Sequence, residues 1–82
     1  MSNWYVYIIR DATDRFYTGI STDPNRRFVQ HSRQKGARYF RFAKPQEILY
    51  CEECLDRSTA LKREAAIKKM RRIEKIALIG RI

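Results

Sequence analysis

Two short tyrosine motifs, Tyr5-Val6-Tyr7 and Tyr17-Thr18-Gly19, stand ten residues apart near the start of this chain. Arg27 follows eight residues after Gly19, His31 four residues after that, and Glu64 stands among apolar residues much later. These side-chain types suit the handling of a phosphodiester. An arginine keeps its charge in any protein and offers phosphate oxygens a planar fork of donors. A phenol or an imidazole can exchange a proton with water, and one carboxylate can hold Mg²⁺ when waters and substrate phosphates complete the shell. Each residue also has a plainer explanation. Tyrosines pack well in strands, a helix arginine is often only solvated, and a glutamate at the edge of an apolar stripe can pair with a cation.

Spacing decides whether they can meet. Side chains of a strand alternate, so Tyr5, Tyr7 and Ile9 share one face and Tyr17 and Gly19 share another. A hairpin can bring Tyr7 and Tyr17 to the same surface, with Gly19 leaving room for close approach. Arg27 and His31, four apart, share a helix face, while Arg26, Gln30 and Arg33 turn toward solvent or nucleic acid. Around Glu64 the helical neighbours are Ala60, Leu61, Ile67 and Lys68. A carboxylate in such a stripe is costly unless it has a partner, for which a metal ion is one candidate; otherwise it turns to solvent at the stripe's edge or pairs with an arginine. Ionising a tyrosine at pH 7 costs roughly 4 kcal/mol from its ordinary pKa near 10. His31, of a type that titrates near pH 6.5, is the other candidate proton acceptor. Residue types leave that choice open.

The elements that must position these residues can be read in outline. Trp4 to Arg10 is aromatic and β-branched, hence a strand, and Phe16 to Ser21 is its hairpin partner across a polar turn. Asp23-Pro24 is a helix start, with Asp as N-cap and Pro at the first position, for a helix to about Arg33. Glu47 to Cys54 reads as a third strand. Asp56 or Ser58 caps a second helix to about Lys69, and a third stretch, Arg72 to Ile79, ends at Gly80 as a C′ residue. Arg71 is a poor N-cap, so the last two helices are expected to run together or meet at a frayed join. The order is β-β-α-β-α-α, an expected α/β (α+β) fold. Residues 1–82 are expected to make one domain.

Composition narrows the partner. Eighteen Lys and Arg against nine Asp and Glu give a net charge of +9, which favours a polyanion such as nucleic acid. From Pro24 to Gln46 there are seven basic residues and no acid. Within that stretch Arg26, Arg33, Lys35, Arg38, Arg41 and Lys44 are candidate phosphate contacts. Tyr39, lying among them, could stack on an unpaired base or anchor the segment in the core. Cys51 and Cys54 have the spacing of half a zinc site, but a strand sends residues three apart to opposite faces. They are expected to be free thiols, buried or half-buried. With no apolar run long enough to span a bilayer and no signal-peptide pattern, a cytoplasmic location without membrane contact is expected. The oligomeric state is not legible.

From Trp4 to Ile79 these motifs resemble the GIY-YIG nuclease superfamily, in particular its small stand-alone bacterial members. The resemblance makes Tyr7 the third residue of the first motif and Tyr17-Thr18-Gly19 the second. It makes Arg27 the helix arginine, Glu64 the metal carboxylate, and His31 the histidine that some members carry one turn on. For the fold it implies a sandwich of a three-stranded antiparallel sheet with flanking helices. It implies a metal-dependent endonuclease acting on DNA with a single Mg²⁺ or Mn²⁺, in which a tyrosine helps activate water. Selection of branched, nicked or single-stranded structures is expected rather than sequence reading, since no helix offers a clear base-reading face. The alternative is a nucleic-acid-binding module of the same fold with little or no cleavage. This chain departs from the pattern at Tyr5, where the first motif has glycine, and at Thr18, where the second has isoleucine. It also lacks the asparagine that larger members carry after the second helix.

Overall fold

The computed structural model describes residues 3–33 and 44–80. β1 (Trp4–Asp11) lies between β2 (Phe16–Ser21) and β3 (Pro45–Cys54) in an antiparallel sheet of order β2-β1-β3. Both faces of this central strand are covered. Val6, Tyr7, Ile8 and Ile9 are therefore all buried, and β1 shows no polar alternation.

The two faces have separate cores. On one, Val6, Ile8, Tyr50 and Cys54 pack against Ala60 and Ile67 of α2 (Arg57–Lys68) and Leu78 of α3 (Arg72–Ile79). On the other, Tyr7 and Ile9 pack with Tyr17, Ile48 and Phe28 of α1 (Pro24–Ser32). Each fully buried aliphatic side chain stabilises by about 1.5–3 kcal/mol. A bulge in β3 makes this division possible. Ile8 pairs with Tyr50 and Ile9 with Ile48, so Leu49 is an extra residue. Ile48 and Tyr50, two apart, can then serve opposite faces.

Local chemistry sets the ends of the elements. The buried Asp11 carboxylate accepts from Thr13 N (2.8 Å), Thr13 Oγ1 (2.6 Å) and Arg15 N (3.0 Å), which closes the β1–β2 turn. Asp23 accepts from Arg26 N at 3.1 Å and Asp56 from Thr59 N at 2.8 Å, so each caps its helix as aspartate should. Of the two expected outcomes for the last two helices, running together does not occur: α2 stops at Lys68 and α3 starts at Arg72. Glu74 accepts from the Arg71 backbone N (3.0 Å) and from Arg71 Nε (3.1 Å), replacing the missing cap from inside α3.

Other expectations shift too. Gly80 has φ −71°, ordinary right-handed backbone rather than a left-handed C′ residue. β3 begins at Pro45, two residues early, because Asp11 pairs with it on an edge strand where proline is tolerated. α1 and α2 each end one residue sooner than expected. Both cysteines are free, but only Cys54 is buried; Cys51 faces out from the edge strand and is exposed. Among the described residues no helix is long and apolar enough to cross a membrane.

Candidate active site

The register places Tyr7 directly opposite Gly19 and Ile9 opposite Tyr17. Tyr7 lies across the bare backbone of Gly19: a Cβ there would meet the Tyr7 hydroxyl at 2.6 Å and its ring carbon Cζ at 2.8 Å. The glycine of the second motif is thus the space the tyrosine of the first one fills. Tyr17 stands beside it, ring centroids 6.5 Å apart and tilted by 44°.

α1 brings two more side chains to the same face. His31 is fully buried, with Nε2 3.4 Å from the Tyr7 hydroxyl and its ring edge-on to Tyr17 at 5.8 Å. Arg27, one turn earlier, donates from Nη1 to Gln30 Oε1 at 3.0 Å. Gln30 is therefore not simply turned to solvent as its helical position suggested; the i, i+3 spacing to Arg27 was the available signal.

Glu64 approaches from α2, which packs against β1 and β2. Its side chain is only 18% exposed, and it pairs with Lys68 Nζ at 3.5 Å, one helical turn away. So the carboxylate lies mostly within the fold, and its cationic partner is an exposed lysine.

The electrostatics tie these residues together. Burial chiefly pushes the Tyr7 phenol above its ordinary value of 10, and the neighbouring Tyr17 adds to this. Arg27 pulls the other way through hydrogen bonding and charge, and the negative Glu64 raises it further. Tyr17 is raised by burial first and by Glu64 second, with Arg27 again opposing. Arg27 and Glu64 thus both act on both tyrosines. Two phenols held uncharged by burial feel both a cation and a mostly buried carboxylate.

The metal expectation meets a sparse ligand set. Among the described residues no three His, Cys, Asp or Glu side chains cluster closely enough to cage an ion. Glu64 alone fits a Mg²⁺ that keeps its waters and takes further oxygens from a phosphate.

The expected nucleic-acid contacts are only partly described. Arg26 and Arg33 are exposed and, with Val29 and Gln30, line a cleft of about 390 Å³ along α1. Lys44 is exposed, while its carbonyl holds the β1–β2 turn through Ala12 N at 2.8 Å. Lys35, Arg38, Tyr39 and Arg41 lie outside the described residues.

Comparison with known proteins bears on the family and the fold. The family model described as the GIY-YIG catalytic domain matches residues 3–76. A UPF0213 protein of Desulfotalea psychrophila is 47% identical over 77 residues, covering 93% of this chain and 70% of that protein. Another, from Cupriavidus pinatubonensis, is 42% identical over 79 residues, 96% of this chain and 88% of its own length. The solution NMR structure of a UPF0213 protein from Bacillus halodurans superposes with a TM-score of 0.61 at 32% identity, covering 95% of this chain and 83% of that one. With its motifs in register, its fold shared and nearly its whole length matched, this chain belongs to the GIY-YIG family of nucleases.

Proposed function

We propose that this protein is a metal-dependent endonuclease that hydrolyses phosphodiester bonds in DNA, selecting structure rather than sequence. The observation that carries the reading is the contact of Tyr7, Tyr17 and His31, drawn from β1, β2 and α1, with Arg27 and Glu64 both acting electrostatically on the two phenols. In this reading Tyr7 works as a neutral phenol. Its oxygen accepts a proton from the attacking water while its own proton passes to His31 Nε2, so the phenol is regenerated as the nucleophile forms. Arg27, steadied by Gln30, directs its remaining N–H groups at the non-bridging oxygens, where charge grows in the transition state. Tyr17 excludes water and keeps His31 in place. A divalent ion bound by Glu64 would add Lewis-acid charge at the phosphate and leaving oxygen.

The test is incubation with labelled duplex, nicked, flap, four-way and single-stranded DNA, each with Mg²⁺, Mn²⁺ or EDTA. Nicking that needs the metal and differs among the substrates is the expected result. Tight retention of every substrate with strands intact would instead make the protein a binding module of the same fold.

A further inference from the structure

The residue at which this chain departs from the first motif faces a cleft of its own. Tyr5 shares the face of β1 with Tyr7, two residues along, about 6.6 Å at the usual strand rise. With Ile48 and Cys51 it forms the sheet side of a cleft of about 420 Å³, closed on the other side by Thr22 and Asp23 and by Pro24 and Asn25 at the start of α1. The Tyr5 hydroxyl donates to Glu53 Oε2 at 3.2 Å, and Asn3 Nδ2 donates to that same oxygen at 2.6 Å. The Tyr5 hydroxyl is thereby turned to Glu53, leaving the ring face as the part offered to the cleft. Cys51, which lines the cleft, is the register partner of Tyr7 across β1 and β3, so the cleft borders the strand position of that candidate residue.

Charge separates this cleft from the one along α1. No lysine or arginine lines it among the described residues, whereas the α1 cleft carries Arg26 and Arg33. The nearby acids, Asp23 and Glu53, would repel a phosphate. An aromatic ring, an aliphatic side chain and short polar groups with amide and hydroxyl chemistry instead match a nucleobase, whose flat face stacks and whose edge hydrogen-bonds.

We propose that this cleft is a subsite for one unpaired nucleobase beside the scissile phosphate, stacked on Tyr5, and that the substrate is accordingly single-stranded or locally unpaired DNA. The inference rests on the proposed reading that Tyr7 and Arg27 act at the scissile phosphate. A base within a duplex cannot reach the floor of such a cleft without leaving its stack, and the cost of extruding it is least where it is already unpaired. Because every base has a stacking face, the subsite would sort structures and not sequences.

Two measurements in EDTA test this without any cleavage. In the first, fluorescence anisotropy gives affinities of the wild type, Tyr5→Phe and Tyr5→Leu for a short oligothymidylate and for a duplex of the same length. Tyr5→Phe should bind both as the wild type does. Tyr5→Leu should lose about tenfold on the single strand and less than about twofold on the duplex, the scale of one lost base–aromatic stack. In the second, an oligonucleotide carrying 5-iodouracil is irradiated with the wild-type protein, and mass spectrometry should find the adduct on Tyr5. Equal losses on both DNAs, an undiminished Tyr5→Leu, or an adduct placed only on other residues would overturn the subsite. If the Tyr5 pattern holds but Mg²⁺ produces no cut, the cleavage reading falls and the subsite stands. If DNA is cut and the Tyr5 variants bind as wild type, the reverse follows.

Discussion

A methyl group added at Gly19 would overlap the Tyr7 hydroxyl, so Gly19→Ala should push that phenol away from His31 and Arg27. The expected result in single-turnover assays is a rate lower by about 10²-fold, the usual penalty for misplacing a reacting group by an ångström. A wild-type rate would show that Tyr7 need not hold its position. The pH profile bears on the same residue. Burial raises the phenol above 10, so Tyr7 stays protonated throughout the neutral range and loses its proton only above that raised value. A relay through the neutral phenol therefore predicts a flat rate between about pH 7.5 and 9.5. A tenfold rise per pH unit there would mean that the phenoxide is the working base. Lys68 supplies a third test, since it occupies the carboxylate that would bind the metal. Lys68→Met should lower the Mg²⁺ concentration for half-maximal rate by about two- to fivefold, in keeping with the small worth of an exposed ion pair. Titration of Mn²⁺ binding by calorimetry should move the same way, and an unchanged midpoint in both would separate Lys68 from the metal.

Polar ties supplement the apolar cores that hold the helices on the sheet. Arg63 of α2 donates through Nε to both oxygens of Glu52 on β3, at 3.0 and 3.1 Å, and Tyr50 donates to the same carboxylate. Arg72 of α3 lies over the Phe16 ring, 4.2 Å from its centroid, and binds the Asp14 carbonyl at 2.8 Å and its carboxylate at 3.1 Å. Asp14 accepts this role with φ 67°, a left-handed conformation that aspartate tolerates better than most residues. The starts of α2 and α3 both depend on carboxylates. Hydrogen bonds from Thr59 hold Asp56 below its ordinary value of 3.8, and those from Arg71 hold Glu74 below 4.5. Because the folded values are depressed, this stabilisation is present above the unfolded values and is lost as pH falls through the folded ones. The melting temperature should therefore drop between about pH 5 and pH 3. Asp56→Asn keeps an acceptor at the cap but removes the titration, and should lose less over that interval than the wild type. Identical acid profiles would dismiss Asp56 as a contributor.

For the whole molecule the net charge of +9 is the dominant physical fact. It should make affinity for DNA steeply salt-dependent, each neutralised phosphate adding about 0.9 to the slope on a duplex. Replacing both Arg26 and Arg33 with Ala should reduce that slope by about one to two units, as measured by anisotropy across a salt series. An unchanged slope would move the phosphate track to the other basic surface, Lys68 to Lys75. Such a loss would be electrostatic and indifferent to strandedness, in contrast to the Tyr5 effect, which should be confined to unpaired DNA.

Much of this was legible in the residues. Aromatic and β-branched runs marked all three strands, Asp23 marked one helix start and Asp56 or Ser58 another, while alternation paired Tyr7 with Tyr17 on one sheet surface and helical spacing paired Arg27 with His31 on one helix face. Those signals are local, and local periodicity is what a sequence encodes directly. Contacts that depend on distant parts of the chain were not legible. The bulge at Leu49, which divides Ile48 from Tyr50, is set by pairing with β1. The start of α3 is rescued from within by Glu74, against the poor cap at Arg71. Gln30 steadies Arg27 and Lys68 claims Glu64 because rotamers, not spacing alone, choose partners. Tyr5 looked like a mere departure from a motif until the turn before α1 closed a cleft over it. The sequence by itself determined which residues could do chemistry and which face each would take. Only the tertiary structure decided which of them touch, because contact between elements depends on register, twist and packing that no short window of residues contains.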